Sequence, residues 1–264
     1  MHVSLFVTCV VDLFSPEVGV AAVRVMRAMD VDVGVPQGQT CCGQPAWNSG
    51  FHRDAARVAA ASLKALGAAL DEHPDSWIVV PAGSCATMIR IFWSEMFELT
   101  HDHERAAQAR RVAERTLEFS EFVHRFGDRL PGLTGNSGGP VGYHHSCHMY
   151  RELRITEAPT DLLGRCGDTL VEWSADSRCC GFGGLFSFKL PETSEAMADN
   201  KLSTLAATGC RTIVGCDTSC LLHLEARAEH EGAPVKIRHL AEVLADTLPV
   251  SSTPATTPTG ATGQ

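Results

Sequence analysis

Eleven cysteines in 264 residues are the chain's main chemical resource, and eight of them fall into a repeated pattern. Cys9 stands 32 residues before the pair Cys41-Cys42, and Cys147 stands 32 residues before the pair Cys179-Cys180. A glycine follows each pair, Gly43 and Gly181, so four positions recur at one offset of 138 residues. Further on, Pro81-Ala82-Gly83-Ser84-Cys85 follows the apolar run 77–80, and Asp217-Thr218-Ser219-Cys220 follows 212–214. The offset is then 135, a difference that a surface loop absorbs.

Successive side chains on an extended strand point to opposite faces, so adjacent cysteines reach one inorganic centre only where the backbone turns. Gly43 and Gly181 permit that turn, because glycine takes positive φ and lets backbone amides come close to a thiolate or sulfide. The helix that follows, from Arg53 onward in the first half, is expected to add positive potential. Cys9, Cys41, Cys42 and Cys85 thereby form one four-thiolate set, and Cys147, Cys179, Cys180 and Cys220 form a second. Both sets are candidate metal and cofactor ligands. Four thiolates suit a [4Fe–4S] cluster or a four-cysteine zinc site, and the donor set alone does not choose between them.

The elements that must hold these residues alternate between strand and helix. Strands are expected at 3–8, 31–35, 77–80, 141–144, 169–173 and 212–214, where β-branched and apolar residues run together. Helices are expected at 17–29, 53–70, 104–126, 158–163, 194–208 and 237–248. This order implies an α/β fold of two tandem duplicated units. Each has a mostly parallel sheet flanked by helices, with its cysteine cluster at the carboxyl ends of the strands. The first unit covers 1–130 and the second 141–249. A Gly- and Pro-rich linker at 131–140 separates them, and the Ser/Thr/Pro-rich tail 250–264 is expected to be disordered. The halves even close alike, Leu117–Val123 resembling His239–Leu244.

Composition narrows the function. A formal net charge of −9 argues against nonspecific nucleic-acid binding, which needs a basic surface. Met1 to Val7 carries no Lys or Arg, and Asp12 interrupts the first apolar run, so neither a secretory signal nor a membrane span is expected. The reading is a cytoplasmic protein, where thiols stay reduced and a cysteine-dense chain binds metal rather than crosslinking itself.

Cys166 and Cys210 lack partners in the repeat and read as packing. Cys216 lies one residue out of register and reads as packing or as support to the centre. Asp217 could offer an oxygen ligand, or cap the helix that follows. His144, His145 and His148 crowd Cys147, where imidazole could ligate iron or hydrogen-bond a cluster sulfur. His101 and His103 read as a solvated loop. Gly181-Phe182-Gly183-Gly184 lacks both the dinucleotide fingerprint and the Walker lysine, so it reads as backbone close to a cluster.

The twice-repeated Cys-(31 residues)-Cys-Cys-Gly pattern, followed by a later cysteine, resembles the CCG cysteine-rich domain family. That family includes the B subunit of heterodisulfide reductase and the iron–sulfur subunits of glycolate oxidase and anaerobic glycerol-3-phosphate dehydrogenase. Phe6–Cys9, Cys41–Ala46, Pro81–Cys85, Cys179–Gly184 and Ser219–Leu222 are most similar to its lactate-utilization members, and the similarity runs from about residue 1 to 247. The resemblance implies iron–sulfur binding and electron transfer during oxidation of L-lactate to pyruvate, in a complex with companion lactate utilization proteins B and C. Heterodisulfide reductase-type members end each unit in Cys-x-x-Cys and hold a noncubane cluster. Here the first of those positions is Ala82 or Asp217, which favours a simpler single cluster per half. Two other functions remain open: a heterodisulfide reductase-like thiol/disulfide oxidoreductase subunit with a zinc or iron–sulfur site, zinc being possible in one half, and a noncatalytic redox sensor.

Overall fold

Short β-branched runs alternate with alanine- and leucine-rich helices along both halves, and each run becomes one strand of a parallel sheet. The computed structural model describes residues 1–130, 133 and 139–249. The first repeat comprises β1 (His2–Leu5), α1 (Cys9–Phe14), α2 (Pro16–Ala28), β2 (Asp32–Gly34), α3 (Gln44–Trp47), α4 (His52–Glu72), β3 (Trp77–Val80), α5 (Gly83–Thr87), α6 (Trp93–Leu99), α7 (His103–Glu114), β4 (Thr116–Glu118) and α8 (Phe119–Phe126). The second comprises β5 (Pro140–His144), α9 (Glu157–Arg165), β6 (Thr169–Leu170), α10 (Leu185–Lys189), α11 (Pro191–Ala206), β7 (Thr212–Gly215), α12 (Thr218–His230), β8 (Lys236–His239) and α13 (Leu240–Asp246). The strands order β2-β1-β3-β4 and β6-β5-β7-β8, with all pairings among the described residues parallel. Two identical strand orders match the duplication read from the cysteines.

Strand alternation divides the interior. Val3, Leu5 and Val79 point into one core together with Val141, Tyr143 and Val214 of the second sheet, and α2, α8, α9 and α13 close it. Ile78 and Val80 face the other way, onto Leu63 and Leu66 of α4 and Trp93 of α6. Ile213 likewise packs on Ala198 and Leu205 of α11 and Leu224 of α12. A buried Leu or Phe contributes about 1.5–3 kcal/mol, so the core drawn from both sheets binds the repeats to each other.

The structure corrects several boundaries. The expected helix 104–126 is interrupted: α7 ends at Glu114, β4 pairs with β3, and α8 begins at once. The expected helix 237–248 likewise opens with β8. Each strand is three or four residues long and runs into its helix without Gly or Pro, so the apolar spacing around it reads as continuous helix. β1 stops at Leu5 rather than at Thr8, and β6 keeps only two of the five residues expected. The linker and the tail lie outside the described residues except for Leu133, Gly139 and Pro140, and Pro140 opens β5.

The similar closing segments are the two strand-to-helix junctions, with Glu118 and His239 as equivalent N-caps. The Glu118 carboxyl accepts from the Ser120 N–H at 2.7 Å and from the Ser120 hydroxyl. His239 Nδ1 accepts from the Ala241 N–H at 3.1 Å, while Glu242 accepts from the His239 N–H at 2.9 Å. Burial pushes the Glu118 carboxyl up to about 8 from an ordinary 4.5. The stability it contributes is therefore full below pH 4.5 and is lost as the pH rises towards 8. Glu118→Gln keeps the capping oxygen and removes the titration. In urea unfolding it should gain on the parent chain by on the order of 2–4 kcal/mol between about pH 5 and about pH 8; an unchanged difference would disprove the burial argument.

Candidate metal centre

Each repeat brings its four cysteines to the carboxyl end of its sheet by the same three devices. The first cysteine follows the leading strand: Cys9 is the first residue of α1, and Cys147 stands three residues beyond β5. Thr8, at φ 71, makes the sharp bend into α1, and its hydroxyl accepts from the Val11 N–H at 3.4 Å. The fourth cysteine lies in the first turn of the helix after the third strand, Cys85 in α5 and Cys220 in α12. The middle pair sits on the loop turned by glycine, with Gly43 at φ 85 and Gly181 at φ 97.

Both glycines are held twice over. A Cβ on Gly43 would lie 2.8 Å from the Ala55 carbonyl oxygen, and one on Gly181 would lie 2.5 Å from that of Ser194. Their N–H groups donate to the sulfurs of Cys41 and Cys179, each at 3.4 Å, and the Phe182 N–H donates to Cys180 at 3.5 Å. The backbone cradle expected around the sulfurs is present. The first turn of α4 lies beside the loop, its Ala55 carbonyl against Gly43, and α1, α5 and α12 carry cysteines in their own first turns.

The sulfurs then meet. Cys42 and Cys85 Sγ lie 3.2 Å apart, Cys180 and Cys220 Sγ 3.0 Å apart. Cys41 shares hydrogen bonds with Cys42 and Cys9, and Cys179 with Cys147 and Cys180, so all eight predicted residues assemble into two quartets. In both, two sulfurs are buried and two half-buried, and all eight are free thiols. Hydrogen bonds from Cys42 and Cys9, with the Gly43 N–H behind them, hold Cys41 down to about 3. Those from Cys147 and Cys180 hold Cys179 down to about 2. The same contacts, together with burial, push Cys9, Cys42, Cys147 and Cys180 up. Cys41 and Cys179 are thus the more readily deprotonated members of their neighbourhoods, in donor sets that a soft cation would deprotonate further.

The other candidates divide. Cys216 is buried outside the quartet, accepting from the Tyr143 hydroxyl at 3.3 Å. Cys210 donates to the Pro140 carbonyl at 3.1 Å, and Cys166 is fully buried, so both pack as expected. Asp217 leads α12 but does not cap it with its side chain; its carboxylate accepts from the Ser84 N–H at 2.7 Å, at the start of α5 in the other repeat. The Gly83 N–H donates to the Cys216 carbonyl at 3.0 Å beside it. His148 meets Gln44 across the same boundary at 3.1 Å, and His145 stands edge-on to Tyr143. His103 pairs with Glu98 at 2.6 Å on the surface, and His101 takes positive φ in the turn before it. His144 is fully buried, and burial pushes its imidazole down to about 3, so it is neutral. Two supports were not legible in the sequence. The Trp93 indole N–H donates to the Cys42 carbonyl at 2.8 Å, and the buried Lys201 ammonium bonds the Ala175 and Asp176 carbonyls over the Trp173 ring. A tryptophan and a lysine on helices have no spacing signal that ties them to a cysteine loop.

Comparison with known proteins agrees with this geometry. The family model for the cysteine-rich domain CCG matches residues 3–90 and 141–225, one match on each repeat. The chain belongs to the CCG cysteine-rich domain family. Among its CCG relatives are Lactate utilization protein A 1 of Bacillus anthracis, 39% identical over 246 residues, and Lactate utilization protein A of Shouchella clausii, 38% identical over 245. These alignments cover 93% and 92% of this chain and 98% of each relative.

Two predictions test how the quartets are held. Gly181→Ala should cost about 2–4 kcal/mol through its positive φ and its contact with Ser194. Gly50→Ala, at φ 81 with open space around it, should cost only about 1 kcal/mol; equal losses in thermal unfolding would remove the close-approach argument. Asp217→Ala should lose about 1–2 kcal/mol by leaving the Ser84 N–H without its acceptor, and Asp217→Asn should recover most of it.

Proposed function

We propose that this chain is the iron–sulfur electron-transfer subunit of a complex that oxidises L-lactate to pyruvate in the cytoplasm, working with lactate utilization proteins B and C. The two sulfur quartets at the strand ends carry this reading, and the lactate-utilization relatives supply the substrate. Cys9, Cys41, Cys42 and Cys85 would hold one cluster, and Cys147, Cys179, Cys180 and Cys220 a second, the four-thiolate sets favouring [4Fe–4S]. Such a cluster supplies reversible one-electron transfer.

The chain's own residues do the rest. The Gly43, Gly181 and Phe182 amides donate to sulfur, which stabilises added negative charge. Burial of Cys42, Cys85, Cys180 and Cys220 keeps water from half of each donor set. Oxidation of lactate to pyruvate releases two electrons and two protons, and two one-electron centres match that number of electrons. The outer face of α1 exposes Leu13 and Phe14 at 70% and 68%, and a groove of about 500 Å³ beside them reaches Cys9 and Cys41. An apolar surface next to a half-buried quartet suits a docked electron partner. Among the described residues, no helix is long and apolar enough to cross a membrane.

The sulfur–sulfur distances of 3.0 and 3.2 Å and the lowered Cys41 and Cys179 also favour a second reading, a thiol/disulfide oxidoreductase subunit with a zinc or iron–sulfur site, zinc in one half. Anaerobic purification separates the two. The expected product contains iron and acid-labile sulfide in both repeats, with visible absorbance that bleaches on reduction. Cys42→Ser should halve the iron while leaving the second repeat loaded. Zinc with turnover of a disulfide substrate would favour the second reading, clusters without transfer to proteins B and C would indicate a sensor, and an iron-free chain that still supports lactate oxidation would end the proposal.

A further inference from the structure

The two quartets are alike in sulfur and unlike in what stands behind them. At the offset of 138 that relates Cys9 to Cys147, His144 corresponds to Phe6. Both side chains are wholly buried at the end of the leading strand, and Phe6 packs against Cys42 and Cys85 in the first repeat's core. His144 reaches the corresponding pair: a ring nitrogen and the sulfurs of Cys180 and Cys220 all lie within 4.8 Å of one another.

An imidazole in that place has two nitrogens, and the described residues offer the Asp176 carbonyl to at most one of them. Leaving the other buried and unpaired costs about 1–3 kcal/mol. The Asp176 carbonyl beside the ring already accepts from the His145 N–H at 3.0 Å and the Lys201 ammonium at 3.1 Å. A phenylalanine serves in the first repeat, so packing alone does not call for a histidine. A buried ring nitrogen within 4.8 Å of two thiol sulfurs is placed as a metal donor.

We propose that His144 is a nitrogen donor to the metal centre of the second repeat, which gives that centre a mixed sulfur–nitrogen donor set while the first remains all-sulfur. The inference rests on the reading that the quartets hold metal. It predicts two centres of different electronic character in one chain, because an iron–sulfur centre with a neutral imidazole among its donors has a higher potential than an all-thiolate one.

The test uses the full chain, purified anaerobically and reduced, with 15N-histidine incorporated in one preparation. Pulsed electron paramagnetic resonance should show one directly coordinated histidine nitrogen, belonging to one of two centres. X-ray absorption at the edge of whichever metal copurifies should show one imidazole per two centres. His144→Phe, which copies the first repeat, and His144→Gln should both abolish these signatures while the first repeat keeps its full metal content. Metal in both repeats with no nitrogen signature, or a signature that survives in both variants, overturns this inference and leaves the metal reading standing. A chain that binds no metal in either repeat overturns both.

Discussion

The reversal of the backbone at each Cys-Cys-Gly is the constraint on which the molecule depends. Without it the paired sulfurs would diverge to opposite faces and no quartet could close. The reversal needs more than a permissive residue, because Gly43 and Gly181 are each pressed against a helix carbonyl that leaves no room for a side chain. The long helices α4 and α11 are thereby fixed relative to the loops. The parallel sheets then follow as the scaffold that delivers the first and fourth cysteines to the same end. Sulfur position, helix placement and strand order are one geometric solution, used twice.

Much of this was readable from spacing. The repeat at an offset of 138 fixed which cysteines belong together, and the apolar runs located six of the eight strands. Strands β4 and β8 were hidden, since three or four residues that pass directly into an amphipathic helix carry no breaker and no clear period. The quartets were legible because chemistry places a cysteine, a rare residue, at exact intervals along the chain. Trp93, Lys201 and the reach of Asp217 were not, because their partners are defined by three-dimensional proximity alone.

The copies have kept their sulfur and changed their surroundings. His144 stands where the first repeat has Phe6, and Leu63 and Leu66 recur as Leu202 and Leu205, while the half-exposed sulfurs open differently. Cys9 and Cys41 border a groove at the surface, whereas Cys147 and Cys179 line a cavity of about 220 Å³ that Gln44 and Ser84 of the first repeat help to enclose. The first site thus opens beside α1 and the second at the boundary between the repeats.

The carboxylate of Asp217 shows what duplication has made irreversible. It binds the amide of Ser84 in the other copy, while the matching position, Ala82, has no side-chain oxygen with which to answer. The bond therefore runs one way across the boundary, from an amide of the first repeat to a carboxylate of the second. The two halves are no longer interchangeable: a second copy of the first half in place of the second would leave the Ser84 amide with no carboxylate to meet.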